Sequence, residues 1–104
     1  MKSILSKSAL AELLDLEAWY DAQTRGLCRD VRQDFLAFSA RIGSHPQLYQ
    51  VVPVCPRGRE IRYGNTDRFP TLVVYEVLAT HLGILVVVHA KTHPSRWRRR
   101  LSNP

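Results

Sequence analysis

The chain has 104 residues, 45% of them hydrophobic, and a formal net charge of +6. That length accommodates one core and excludes two, and the apolar fraction suffices for a domain of ordinary stability, about 5–15 kcal/mol. Cys28 and Cys55 are too few for a secreted disulfide framework and stand in no CxxC or CxxH spacing, so no metal and no cofactor is expected.

The first residues, MKSILSKSALAE, are interrupted by Lys7 and lack the apolar run of a signal peptide, and the most apolar uncharged segment, from Val77 to Ala90, carries His81 and His89 and is too short to span a bilayer. The expectation is a cytoplasmic protein with no membrane partner. Its charge is unevenly placed. Residues 1–52 hold six Lys or Arg against six acids, whereas residues 53–104 hold nine against three, which accounts for the whole excess. Such a half-molecule suits an anionic partner, nucleic acid or an acidic protein segment, or else a solvated basic surface.

In chain order, Lys2 to Ser6 is short and suits a brief edge strand, with Ser6 or Ser8 capping the helix that follows. From Ala9 to Ala22 the spacing of Leu10, Leu13, Leu14, Leu16 and Tyr20 predicts an amphipathic helix with Glu12 and Asp15 turned outward. Glu17 falls inside the apolar arc and requires a partner, for which Arg32 across a helical hairpin is suited. Thr24-Arg25-Gly26 breaks this helix. A second runs from about Leu27 to Ile42, with Leu27, Cys28, Val31, Phe35, Phe38 and Ile42 within about 100° of one another, the width of a stripe laid on a sheet. Cys28 then reads as a small core residue, with a reactive thiol as the alternative. Gly43 ends the helix and Ser44-His45-Pro46 turns the chain.

Leu48 to Val54 is apolar with Pro53 inside it, Pro56-Arg57-Gly58 makes a turn, and Arg59 to Tyr63 alternates as a strand with Glu60 and Arg62 on its solvated side. Phe69–Ala79 and Gly83–Ala90 read as a β-hairpin, connected through Thr80 to Gly83, in which Pro70 delays pairing until Thr71. On the first of these strands Thr71, Val73, Tyr75 and Val77 share one face, and Leu72, Val74, Glu76 and Leu78 the other. The strand from Ile84 to Val88 is apolar at every position, as expected deep in a sheet. Pro94 opens a helical turn, Trp97 folds back on the sheet edge, and Arg96, Arg98, Arg99 and Arg100 are left exposed.

Several of these residues together resemble the RelE/ParE superfamily of toxins from bacterial type II toxin–antitoxin modules. They are Trp19-Tyr20 near the end of the first helix, His45-Pro46 closing the second, Arg68-Phe69-Pro70 with Tyr75, and His89, Pro94 and Trp97 at the end. The resemblance covers nearly the whole chain and carries, in particular, the plasmid-stabilisation, ParE-like branch. It implies a growth inhibitor neutralised by a cognate antitoxin that wraps over it. Together with the pattern above it gives an α+β fold as one domain over residues 1–104: an N-terminal helical hairpin packed on one face of a three- to four-stranded antiparallel sheet, with a short basic C-terminal tail.

Two activities follow from the resemblance. RelE-like members cleave messenger RNA on the ribosome; ParE-like members are not nucleases and poison DNA gyrase. Cleavage through the 2′-OH requires a base, an acid and cationic stabilisation of the phosphorane, which RelE-like members supply with Lys and Arg on the sheet and a Tyr, or a His-Tyr pair, near the C-terminus. The tail RWRRRLSNP has no Tyr. If the chain is a nuclease, the candidates are His89, Lys91, His93, Arg62 and Arg68; His93 stands where the resemblance leads one to expect Asp. The candidates for binding target or antitoxin are Arg59, Arg62, Arg68, Tyr75, Lys91, Arg96, Trp97, Arg98, Arg99 and Arg100; the sheet face left uncovered by the helices is expected to be the working surface, carrying Arg59 or Arg62, Arg68, Lys91 and the tail arginines. The partners expected are an antitoxin and gyrase, with ribosome and messenger as the alternative, and a non-toxic descendant that only binds antitoxin as a third possibility.

Overall fold

The computed structural model describes residues 1–102; the last two positions of the basic tail, Asn103 and Pro104, lie outside them. The elements run β1 (Lys2–Leu5), α1 (Lys7–Gln23), α2 (Leu27–Ser44), β2 (Gln50–Val51), β3 (Ile61–Asn65), β4 (Thr71–Val77), β5 (His81–His89) and α3 (Ser95–Ser102). The sheet has five strands in the order β1-β5-β4-β3-β2. It is mixed, which corrects the expected three- to four-stranded antiparallel sheet: β5 to β2 form an antiparallel meander, but β1 lies parallel to β5, with Lys2 opposite His81 and Leu5 opposite Ile84. The parallel pair is possible because the helical hairpin carries the chain from one sheet edge to the other before the meander begins.

At Ser6 the chain leaves the sheet. Its N–H donates to the Ile84 carbonyl at 2.9 Å, and its Oγ accepts from the Ala9 N–H at 3.1 Å, ending β1 and capping α1 in one residue. On α1 the buried residues are Ala9, Leu13 and Glu17, one strip at four-residue spacing, while Leu10 and Leu14 are each 47% exposed. The five-residue leucine and tyrosine arc was therefore drawn too wide, because one side of α1 meets both α2 and the sheet and a narrow strip fills that contact. Glu17 holds its place by a two-pronged pair with Arg32, at 2.7 and 3.0 Å. On α2, Val31, Phe35, Phe38 and Ile42 are buried as their spacing predicts, and Asp34 beside them accepts the Arg68 and Phe69 N–H groups, fixing the turn into β4.

The hairpin of β4 and β5 turns earlier than expected. Leu78–Thr80 make the connection and Gly83 sits inside β5 opposite Glu76. The alternation along β4 is as read: Val73, Tyr75 and Val77 pack under the helices, whereas Leu72 and Val74 face the other way. Val74 pairs with Val86 but Tyr75 with Ile84, so Leu85 is a bulge. The extra residue changes the phase of β5, putting Ile84 and Val87 beneath the helices and Leu85, Val86 and Val88 on the opposite side.

That opposite side is not open. A second core of Val52, Ile61, Leu72, Val74 and Val86 is closed by Trp97 and Leu101 of α3. The expected uncovered working face is thus corrected: the tail folds into a helix and covers it, as Trp97 alone had been expected to do at the edge.

Candidate functional site

Arg59 and Glu76 pin α3 from below. The guanidinium makes two bonds to the Glu76 carboxylate, at 2.9 and 2.8 Å, and a third to the Leu101 carbonyl at the end of α3. The charge-assisted bonds from Arg59, opposed in part by burial, hold the Glu76 carboxyl below its usual range and raise the guanidinium in turn. Arg100 pins α3 from the side, with two bonds to Glu12 of α1 at 2.8 and 3.2 Å and another to the Leu85 carbonyl. Glu12 had been placed outward; it lies partly buried at the strand edge and also accepts the Val87 N–H at 3.1 Å.

Several other sequence candidates are occupied. Arg62 is held by Glu60 at 2.7 Å and by the Tyr49 carbonyl at 2.6 Å. Tyr75 is fully buried, its hydroxyl donates to the Pro46 carbonyl at 2.8 Å, and burial raises its pKa. Trp97 belongs to the second core. The His89 Nδ1 accepts the Lys91 N–H at 3.1 Å, bending the chain out of β5, and the His93 Nδ1 lies 3.2 Å from the Ser95 N and 2.8 Å from its Oγ at the start of α3. Arg68 is exposed above the Phe69 ring, with Asp30 4.0 Å away.

What remains exposed is a basic ridge. Arg96, Arg98 and Arg99 on α3, with Lys91 before it, point to solvent and make no ion pair with an acid among the described residues. The ridge borders a groove of about 700 Å³, walled by Glu12, Asp15, Leu16 and Trp19 of α1 on one side and by Thr92, Arg96 and Trp97 on the other, with Val87, Val88 and His89 as its floor. Trp19 is 55% exposed there, an apolar ring at the mouth of the groove. The groove was missed in the sequence because its floor is the half of β5 that β1 does not reach. The short length of Lys2–Ser6 against the long run to Ala90 was the available signal.

No family profile matches the chain, and no curated protein matches it. Among solved structures the fold is shared with a chain from the chromosomal ParDE toxin–antitoxin system of P. aeruginosa. The TM-score is 0.72 with 16% of residues identical, and the match covers 88% of this chain and 97% of that one. The architecture is therefore that of a protein from a ParDE system, as the resemblance in the sequence implied. Among the described residues no helix is long and apolar enough to cross a membrane.

Proposed function

We propose that this protein is the toxin of a bacterial toxin–antitoxin module, a cytoplasmic growth inhibitor that a cognate antitoxin neutralises and that acts on DNA gyrase without cutting RNA. The observation that carries the toxin assignment is the shared fold with the ParDE system over 88% of the chain, joined to a basic surface concentrated in the second half. Support for a non-nuclease comes from the state of the candidate groups. Arg59 and Arg62 are tied to carboxylates, His89 and His93 spend Nδ1 on local turns, and α3 covers the sheet face expected to be the open working surface. A general acid placed at the leaving oxygen contributes about 10²–10⁴-fold to such a cleavage, and no tyrosine of the tail supplies it.

The test is induction of the chain in bacterial cells, alone and together with the product of the adjacent open reading frame, followed by mapping of messenger 5′ ends. Growth arrest relieved by the neighbour's product, without new messenger ends, is the expected result. Arrest accompanied by cuts that vanish in His93→Ala or Lys91→Ala refutes the non-nuclease reading, and no arrest at all makes the chain a non-toxic relative.

A further inference from the structure

All of the excess positive charge lies after residue 52, and the structure narrows it to one place. The three acids of that half, Glu60, Asp67 and Glu76, are taken by Arg62, Arg41 and Arg59. Among its cations, Arg68 stands 4.0 Å from Asp30 and Arg100 is bonded to Glu12. Arg57, Lys91, Arg96, Arg98 and Arg99 are left without an acid among the described residues, and all but Arg57 belong to α3 or to the turn before it. From Ala90 to Ser102 there is no Asp or Glu at all.

A solvated run of arginines needs no fixed shape, and this one has a shape imposed on it. Eight residues are too few for a helix to persist alone in water, and Arg96 in the first turn opposes the helix dipole. Instead α3 is held by Trp97 and Leu101 in the second core, by Arg100 on Glu12 and by Arg59 on the Leu101 carbonyl. With Trp97 turned inward and Arg100 towards α1, a step of about 100° per residue puts Arg98 on the flank away from α1, Arg99 near the crest and Arg96 on the flank towards α1. The Arg98 guanidinium rests over the Trp97 ring, 6.0 Å from its centroid, so a buried indole positions an exposed cation. Arg96 shares the groove with Glu12 and Asp15, which offset its charge, so the uncompensated field falls on Lys91, Arg98 and Arg99.

We infer that this ridge docks on the phosphate backbone of duplex DNA. The inference rests on the proposed action on gyrase, whose substrate is DNA, and specifies that the protein engages its target partly through that DNA. The eight residues of α3 span about 12 Å, over which one strand of a duplex, rising about 3.4 Å per nucleotide, presents about three phosphates. Lys91, Arg98 and Arg99 supply the cations, and the planar fork of a guanidinium suits a phosphate. An acidic protein partner requires apolar contact at the centre of its interface, and the apolar side chains of α3, Trp97 and Leu101, are buried. An unpaired strand requires an exposed ring on which to stack its bases; α3 has none, and the exposed ring of Trp19 belongs to α1, across the groove. The ridge thus offers charge alone, which is what a duplex backbone takes without regard to its sequence.

The experiment is fluorescence anisotropy of a labelled DNA duplex titrated with the full chain at salt concentrations from about 50 to about 200 mM. With about three phosphates neutralised, affinity is expected to fall roughly 40-fold over that range, and in the double variant Arg98→Gln, Arg99→Gln, where about one remains, roughly 3-fold. The control is Arg25→Gln, Arg29→Gln, which removes the same charge from exposed positions in the first half of the chain and is expected to keep the parental salt dependence, the unfolding midpoint of each variant reporting that the fold survives. Equal losses in the two variants, no binding at the lowest salt, displacement of the duplex by polyglutamate at equal charge, or tighter binding to the same duplex made of RNA each overturn docking on DNA. In a supercoiling reaction with gyrase, the Arg98→Gln, Arg99→Gln variant is expected to need about tenfold more protein for the same yield of trapped breaks. Breaks at the parental concentration overturn the inference and leave action on gyrase standing. Duplex binding as expected, with gyrase undisturbed by the parent, overturns action on gyrase and leaves the ridge a DNA-binding surface.

Discussion

Replacing Trp97 tests whether α3 closes the second core. The ring is 4% exposed and lies with Leu101 over Val52, Ile61, Leu72, Val74 and Val86. Truncating a buried tryptophan to alanine costs about 3–5 kcal/mol, against a total of about 5–15 kcal/mol for a domain of this kind. Each kcal/mol shifts the midpoint of a domain this size by about 4–8 °C, so Trp97→Ala is expected to melt more than about 10 °C below the parent. Trp97→Phe separates packing from polarity. The indole Nε1 is buried and meets no acceptor among the described residues. A buried donor left unpaired costs about 1–3 kcal/mol, and losing the second ring costs about 0.8 kcal/mol for each carbon withdrawn from water, so the two nearly offset. Urea unfolding of the three proteins, read by far-ultraviolet circular dichroism, is the assay. An alanine variant as stable as the parent means that α3 is not seated on the sheet, and with that the argument that the face is closed to a phosphate fails. A phenylalanine variant as damaged as alanine means that the indole N–H is bonded after all.

Gly64 lies against the Tyr49 ring, where an added Cβ stands 2.5 Å from Cδ1, and that ring is stacked on Phe38 with centroids 4.9 Å apart. Gly64→Ala is therefore expected to destabilise by about 1–3 kcal/mol in the same unfolding assay, with the loss recovered in a Tyr49→Ala background where the clash is gone. Stability is also expected to fall in acid. For Asp34, burial raises the carboxyl but bonds from Thr66, Phe69, Arg68 and Asp67 outweigh it, and for Glu76 the bonds from Arg59 dominate, so both lie below their ordinary values of 3.8 and 4.5. A carboxyl with a depressed folded pKa contributes stability that is present above the unfolded value and lost as pH falls through the folded one. The unfolding free energy should thus be flat above about pH 5 and decline below about pH 4, and Glu76→Gln should lessen the slope of that decline at the expense of stability at neutral pH.

Legibility in the sequence followed the physics of each element. The second helix was readable because its apolar residues recur at helical spacing and a sheet accepts a stripe of that width; Val31, Phe35, Phe38 and Ile42 are buried accordingly. Glu17 and Arg32 were readable because a carboxylate inside an apolar arc requires a cation. The first helix was overread, since leucines at Leu10 and Leu14 have no partner surface and stay exposed. The parallel pairing of β1 with β5 depends on a contact between residues about 79 apart, as Lys2 with His81, and no local pattern encodes it. The tail shows the limit most clearly. RWRRRLSNP is dominated by arginines and reads as a solvated run, yet Trp97 and Leu101 stand one helical turn apart and Arg100 reaches back to Glu12, so the segment is a cover with one charged side. Its charges that face solvent, Arg96, Arg98 and Arg99, were correctly read as exposed, whereas the roles of Arg59 and Arg62 in bracing the sheet could be known only from their partners.

Action on gyrase is tested by a supercoiling reaction with the purified enzyme and this protein, in which trapped double-strand breaks are scored as linear DNA after the gyrase is digested away. Linear DNA is expected to accumulate with the concentration of the protein and to be abolished by prior addition of the neighbouring gene's product. Undisturbed supercoiling, with specific cuts in a ribosome-bound messenger by the same sample, contradicts it.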